Sequence, residues 1–153
     1  MAGWSEPDFH ADEQQFRIRG RDTTGAVAVV ADFNRDGHLD IATTDGVMWY
    51  GTGTGDFYYQ GEFTAEQSFD GMVVGDFNHD GLPDIAAGML MSNQIVVFIN
   101  DGKGGFERSF YASGAAAYNL AAADFNQDGK TDLVVSDYVV IQAPPNALVI
   151  FGK

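Results

Sequence analysis

ADFNRDGHLDIATTD, residues 31–45, crowds Asp32, Asp36 and Asp40, with Asn34 among them, into a chain whose formal net charge is already −14. Two like charges 4 Å apart repel by roughly 4 kcal/mol at an effective dielectric near 20, so the stretch calls for a neutralising partner. It is not an isolated run. GDFNHDGLPDIAAGM (75–89) and ADFNQDGKTDLVVSD (123–137) repeat it. Between the copies a second pattern recurs: VMWYGTGTGDFYY (47–59) answers to IVVFINDGKGGFERSF (95–110), an apolar run, a glycine turn and then Phe. Self-similarity at a period of about 45 residues is the mark of a repeat architecture.

Composition limits what the acidic stretches can serve. The 153 residues are 45% hydrophobic and 13% aromatic, enough to build a core and too apolar for a disordered acidic tail. With 22 acidic against 8 basic residues, no Lys/Arg cluster offers a phosphate-binding surface, which argues against nucleic acid and in favour of cations. No apolar run is long enough to span a membrane as a helix, and MAGWSEPDFH lacks the basic start and apolar stretch of a signal peptide. The chain has no cysteine, which excludes disulfides and thiolate metal sites without assigning a compartment.

The apolar runs read as strands. VAVVADF, MVVGDF, DIAAGML, QIVVFIN, DLVVSDYVVI and ALVIF are short, rich in Val and Ile, and bounded by Gly, Asp or Asn. Helical spacing is not sustained anywhere. Each unit reads as apolar run, acidic loop, two apolar runs, glycine turn and mixed run. Four short strands in about 45 residues is the arithmetic of a β-propeller blade. A β-sandwich, the competing all-β fold, requires no such self-similarity.

In D-x-N-x-D-G-x-x-D, side chains at positions one, three and five supply oxygens that converge when the backbone curls. Glycine at six permits the turn, position seven offers its carbonyl and Asp at nine closes the cage. An all-oxygen donor set suits Ca²⁺ better than Mg²⁺, which asks for a tighter octahedron, and better than zinc or copper, which favour His or Cys. An EF-hand starts the same way but needs a bidentate Glu at position twelve and flanking helices. Here position twelve is Thr43, Ala87 and Val135, so that reading fails in every copy. A plain hairpin turn built from Asp, Asn and Gly is the remaining alternative, and threefold recurrence of the same donor types weighs against it.

The loops DFNRDGHLD, DFNHDGLPD and DFNQDGKTD, with the Gly-x-Gly-x-Phe turns, resemble the FG-GAP/VCBS repeats of integrin-α-type β-propellers, over nearly the whole chain. The resemblance implies four-stranded antiparallel blades with a calcium loop joining the first two strands of each. It implies three Ca²⁺ sites: Asp32, Asn34, Asp36, the carbonyl of His38 and Asp40; Asp76, Asn78, Asp80, the carbonyl of Leu82 and Asp84; and Asp124, Asn126, Asp128, the carbonyl of Lys130 and Asp132. Loops without the strengthening Glu, resembling modules of secreted and surface proteins, imply weak structural calcium sites and an extracellular or periplasmic setting.

Members of that family carry six to eight blades, whereas this chain has material for three. The expected units are 21–64, 65–112 and 113–153, within one module spanning 1–153. NALVIFGK matches a third strand, and GWSEPDFHADEQQFRIRG matches the glycine turn and fourth strand that the third unit lacks. A strand within 9–20 is therefore expected to complete the third blade of a second copy, giving a head-to-tail homodimer, a six-bladed ring.

No nucleophile with a base, and no paired carboxylates outside the acidic loops, suggests catalysis. His38 and His79 lie within the loops and His10 near the N-terminus. The reading is a non-enzymatic calcium-binding module for assembly, adhesion or ligand binding, its ligand a glycan or a protein. A lectin on the same frame is the alternative, with Trp4, Trp49, Tyr50, Tyr58, Tyr59, Tyr111, Tyr118 and Tyr138 as stacking platforms, although packing between blades is the commoner use of such residues. A polysaccharide-processing enzyme ranks third.

Overall fold

The computed structural model describes residues 26–65, 69–113, 116–137, 147–150 and 152. The chain is all-β and meanders through three antiparallel sheets, an arrangement consistent with β-propeller blades. The first sheet holds β1 (Ala28–Ala31), β2 (Asp40–Thr43), β3 (Val47–Gly51) and β4 (Phe57–Glu62) in that order. The second holds β5 (Gly71–Gly75), β6 (Asp84–Met89), β7 (Gln94–Asn100) and β8 (Phe106–Ala112). In the third, β9 (Ala117–Ala123), β10 (Asp132–Asp137) and β11 (Ala147–Ile150) correspond to the first three strands of the others. A 3-10 turn, Leu90–Ser92, links β6 to β7. The expected strand within 9–20, with Trp4, His10 and Tyr138, lies outside the described residues.

The sequence period explains the layering. Strands buried on both faces need continuous apolar runs, and β6 and β7 supply them: Ile85, Ala86, Ala87, Ile95, Val96 and Phe98 are fully or almost fully buried. One face of the second sheet, with Met72, Ile85, Ala87, Val96 and Phe98, packs on Phe33, Ala42, Met48 and Tyr50 of the first. The other face, with Ala86, Ile95 and Val97, packs on Ala117, Leu133 and Val135 of the third. At about 1.5–3 kcal/mol for each large apolar side chain removed from water, these two layers are the main source of stability. The outer strands β4 and β8 are polar or half-exposed by contrast, as expected for sheet rims.

The sheets touch most closely at their inner strands. A Cβ at Gly71 of β5 would collide with the carbonyl oxygen of Tyr118 on β9, and one at Gly88 of β6 would lie 2.6 Å from the carbonyl oxygen of Ala117. Glycine here is a requirement of close approach. At the first interface, buried Asn100 spans the sheets: its Nδ2 donates to the Phe33 carbonyl at 2.8 Å and to the Pro83 carbonyl at 3.2 Å, while its Oδ1 accepts from the Gly102 amide at 2.9 Å. Phe69 and Phe63 close that layer, each edge-on or nearly so to Phe98.

Gly88→Ala should force the second and third sheets apart and lower unfolding stability by about 1–3 kcal/mol, as overpacking does. Urea denaturation checks this; a change within the error of the wild-type midpoint would mean that the sheets slide apart at no cost.

Candidate metal centre

Each acidic loop joins the first strand of a sheet to the second, so all three are held at both ends by strand pairing. In the first, Asp32 accepts from the Asp36 amide through Oδ1 (3.1 Å) and from the Gly37 amide through Oδ2 (2.9 Å). Asn34 Oδ1 accepts from the same Asp36 amide at 2.9 Å, and its Nδ2 donates to Asp36 Oδ2 at 2.9 Å. Asp36 Oδ1 in turn accepts from the His38 amide at 2.8 Å. The same bonds recur in the second loop among Asp76, Asn78, Asp80, Gly81 and Leu82. They recur again in the third among Asp124, Asn126, Asp128, Gly129 and Lys130. The backbone repeats too: position four is left-handed at Arg35, His79 and Gln127 (φ 60°, 62° and 61°), and position six at Gly37, Gly81 and Gly129 (86°, 79° and 86°). Left-handed geometry is ordinary for glycine and uncommon elsewhere, which fits the invariable glycine at six and the polar residues at four.

The side chains at positions one, three and five are thus gathered around one backbone amide and lie at the surface. The Asn34 carboxamide, helped by the His38 amide, holds the Asp36 carboxyl below its ordinary value. Asn78 and the Leu82 amide do the same for Asp80, with a smaller contribution from Arg35. Both acids therefore stay ionised. Among the described residues no three His, Cys, Asp or Glu side chains come together as a metal-binding group; each loop gathers two carboxylates and one carboxamide, all of them oxygen donors.

Position nine is buried, and its oxygens are engaged by backbone amides. Asp40, Asp84 and Asp132 are completely buried. Asp40 Oδ2 accepts from the Phe33 amide at 2.8 Å and Oδ1 from the Gly51 amide at 2.9 Å. Asp84 binds the amides of Phe77 and Asn100 in the same manner, and Asp132 those of Phe125 and Gly152. Each carboxylate ties the start of its loop to the end of the third strand. Burial pushes the carboxyls of Asp40 and Asp84 up, an effect that the amides oppose.

Position seven also does more than offer a carbonyl. Side chains at Gly53 and Gly102, in the glycine turns, would run into the His38 ring and the Leu82 methyl groups, so the acidic loop rests on the glycine turn of its own sheet. Arg35 reaches across to the next loop, donating to the Gly81 carbonyl at 3.0 Å and lying 3.5 Å from that of Asp80. Of the aromatic residues considered as stacking platforms, Trp49 and Tyr50 are buried. Exposed Tyr58 and Tyr59 sit edge-on against them, while Tyr111 and Tyr118 are exposed.

Residues 76–135 match the family model described as FG-GAP-like repeat. The chain carries an FG-GAP-like repeat. The match opens on Asp76, the first residue of the second acidic loop, and runs through the third loop into β10. The first loop lies outside the FG-GAP-like match but has the same hydrogen bonds. Comparison with curated proteins gives no match.

The two kinds of Asp should respond differently to the loss of one oxygen. In Asp84→Asn the carboxamide nitrogen faces one of two backbone donors, leaving a buried amide unsatisfied at about 1–3 kcal/mol. Asp80→Asn, at the surface, should cost less than about 0.5 kcal/mol in metal-free buffer. Urea unfolding of both variants in chelator measures the difference, and equal losses would remove position nine from its structural role.

Proposed function

We propose that the protein is a non-enzymatic calcium-binding β-propeller module that assembles from two chains into a six-bladed ring and works in adhesion or ligand binding outside the cell. The observation that carries the calcium reading is the threefold repetition of one loop conformation. In each, two carboxyl groups and a carboxamide oxygen are collected at the surface around a single amide. Mutual repulsion at such a cluster opposes folding unless a cation offsets it. The donor set is all oxygen and the loop is closed by a glycine turn, which suits a hard divalent ion. Asp32, Asn34 and Asp36, with their counterparts Asp76, Asn78, Asp80, Asp124, Asn126 and Asp128, would hold the ion, joined by the carbonyls of His38, Leu82 and Lys130. Asp40, Asp84 and Asp132, the ninth donors of the expected set, also support the loop from behind through backbone amides. Calcium would supply charge neutralisation and no chemistry.

The conspicuous acids are engaged in loops and backbone bonds, which supports a passive role. Among the described residues, the lectin alternative loses Trp49 and Tyr50 to burial and keeps exposed Tyr58, Tyr59, Tyr111 and Tyr118. Among the described residues no helix is long and apolar enough to cross a membrane.

Calcium in hundredfold excess over its dissociation constant should add about 2.7 kcal/mol per site to the folded state. Chelation should therefore lower the melting temperature by several degrees, and Asp36→Ala or Asp128→Ala should shrink that shift more than Glu107→Ala, which removes a charge from exposed β8. An unchanged melting curve in chelator, with no calcium found by metal analysis, overturns the calcium reading. Light scattering after size exclusion should report twice the chain mass of 16.5 kDa.

A further inference from the structure

The two interfaces between sheets are built alike but filled differently. At the first, Phe106, the opening residue of β8, packs into the layer formed by Phe33, Met48, Tyr50, Ile85 and Phe98, 6.2 Å from the Phe33 ring and nearly edge-on to it. The second repeats this frame one sheet further on. Phe77 stands where Phe33 stood, Val97 and Ile99 where Met48 and Tyr50 stood, and Leu133 and Ile150 where Ile85 and Phe98 stood. Among the described residues none takes the place of Phe106 there: Phe77, Val97, Ile99, Leu133, Ile150 and Gly152 line a cavity of about 290 Å³. Above it, among the described residues, no strand pairs with the outer edge of β11. An apolar groove beside an unpaired strand edge is suited to a strand that brings a large apolar side chain.

The sequence contains one more copy of such a strand. Asp8-Phe9 repeats the Asp56-Phe57 that opens β4, and Gly105-Phe106 opens β8 in the same way. The partner register of the first two sheets then places this copy. Gly51 pairs with Phe57, and Asn100 with Phe106; Gly51, Asn100 and Gly152 are equivalent because each gives its amide to the position-nine Asp. Phe9 is thereby set opposite Gly152, and, following the pairing of Phe98 with Arg108, Ala11 is set opposite Ile150.

We infer that residues 9–20 of a second copy of this chain dock along β11 and seat Phe9 in the cavity between the second and third sheets. The inference rests on the two-chain assembly proposed above and names the contact that closes it. Phe9 supplies the ring that Phe106 supplies at the first interface. Gly152, unlike Asn100, has no side chain to fill the groove mouth, and a Cβ there would lie 2.8 Å from the Thr131 carbonyl oxygen.

Because the protein has no cysteine, the register is read directly by an Ala11→Cys, Ile150→Cys double variant oxidised in calcium buffer. It should run as a covalent dimer under non-reducing denaturing conditions, whereas Ala11→Cys with Val149→Cys, one residue out of register, should not. Independently, Phe9→Asp should raise the dimer dissociation constant by at least about 100-fold while Phe9→Leu changes it by less than about tenfold, each measured by light scattering on a dilution series. A wild-type chain that stays monomeric overturns the two-chain assembly and the docking with it. A dimer that fails to cross-link in register and is indifferent to Phe9→Asp overturns the docking alone and leaves the assembly standing. Cross-linking within one chain shows that the strand returns to its own third sheet and overturns the second copy as occupant.

Discussion

A buried carboxylate at the ninth loop position is the constraint on which each sheet depends. A carboxylate in an apolar layer is costly unless its oxygens are bonded, and Asp40, Asp84 and Asp132 each have one oxygen on the amide that follows the first loop residue and the other at the end of the third strand. That pair of bonds sets where the acidic loop begins relative to the glycine turn across the sheet. The oxygens at positions one, three and five gather at the surface because the ninth is anchored inside. A tight loop of acids can hold its shape in this way while repelling itself.

The repeat, the strands and the acidic loops were legible because they depend on local spacing. A glycine at six announces the turn, and period and composition suffice for the meander, whereas the left-handed backbone at position four is seen only in the structure. The backbone bonds of the position-nine Asp were not legible, since its partners at Gly51, Asn100 and Gly152 lie 11 to 20 residues away and nothing local shows which way the carboxylate turns. Asn100 escaped notice for the opposite reason: it ends β7 where β3 ends in Gly51, and a departure from the repeat looks like drift until Phe33 is found across the interface. Burial of Trp49 and Tyr50 was legible as the commoner use of such aromatics, because β3 shows an unbroken apolar run with no polar side to mark a surface.

Packing and electrostatics divide the molecule between them. The two apolar layers hold the sheets together with side chains of differing size: Phe98, Phe63 and Phe69 at the first, Ala117, Leu133 and Val135 at the second. The loops at the rim differ little from one another. Arg35 links the first loop to the second through backbone carbonyls, so the acidic rim is also braced from one sheet to the next. His79, at the same position of the second loop, has a shorter side chain.

Asn100 also bears on how such a chain can have diversified. Its amide nitrogen needs the Phe33 carbonyl of the preceding sheet, and its neighbours Gly51 and Gly152 occupy equivalent sites where a Cβ has no room. The repeats share their loops but not their seams. Shuffling or permuting them would leave a carbonyl without its donor at one boundary and press a side chain into backbone at another. The order of the units is thus inscribed in single residues at their borders, and any duplication that lengthened the chain would have had to rewrite those residues before the new unit fitted its place.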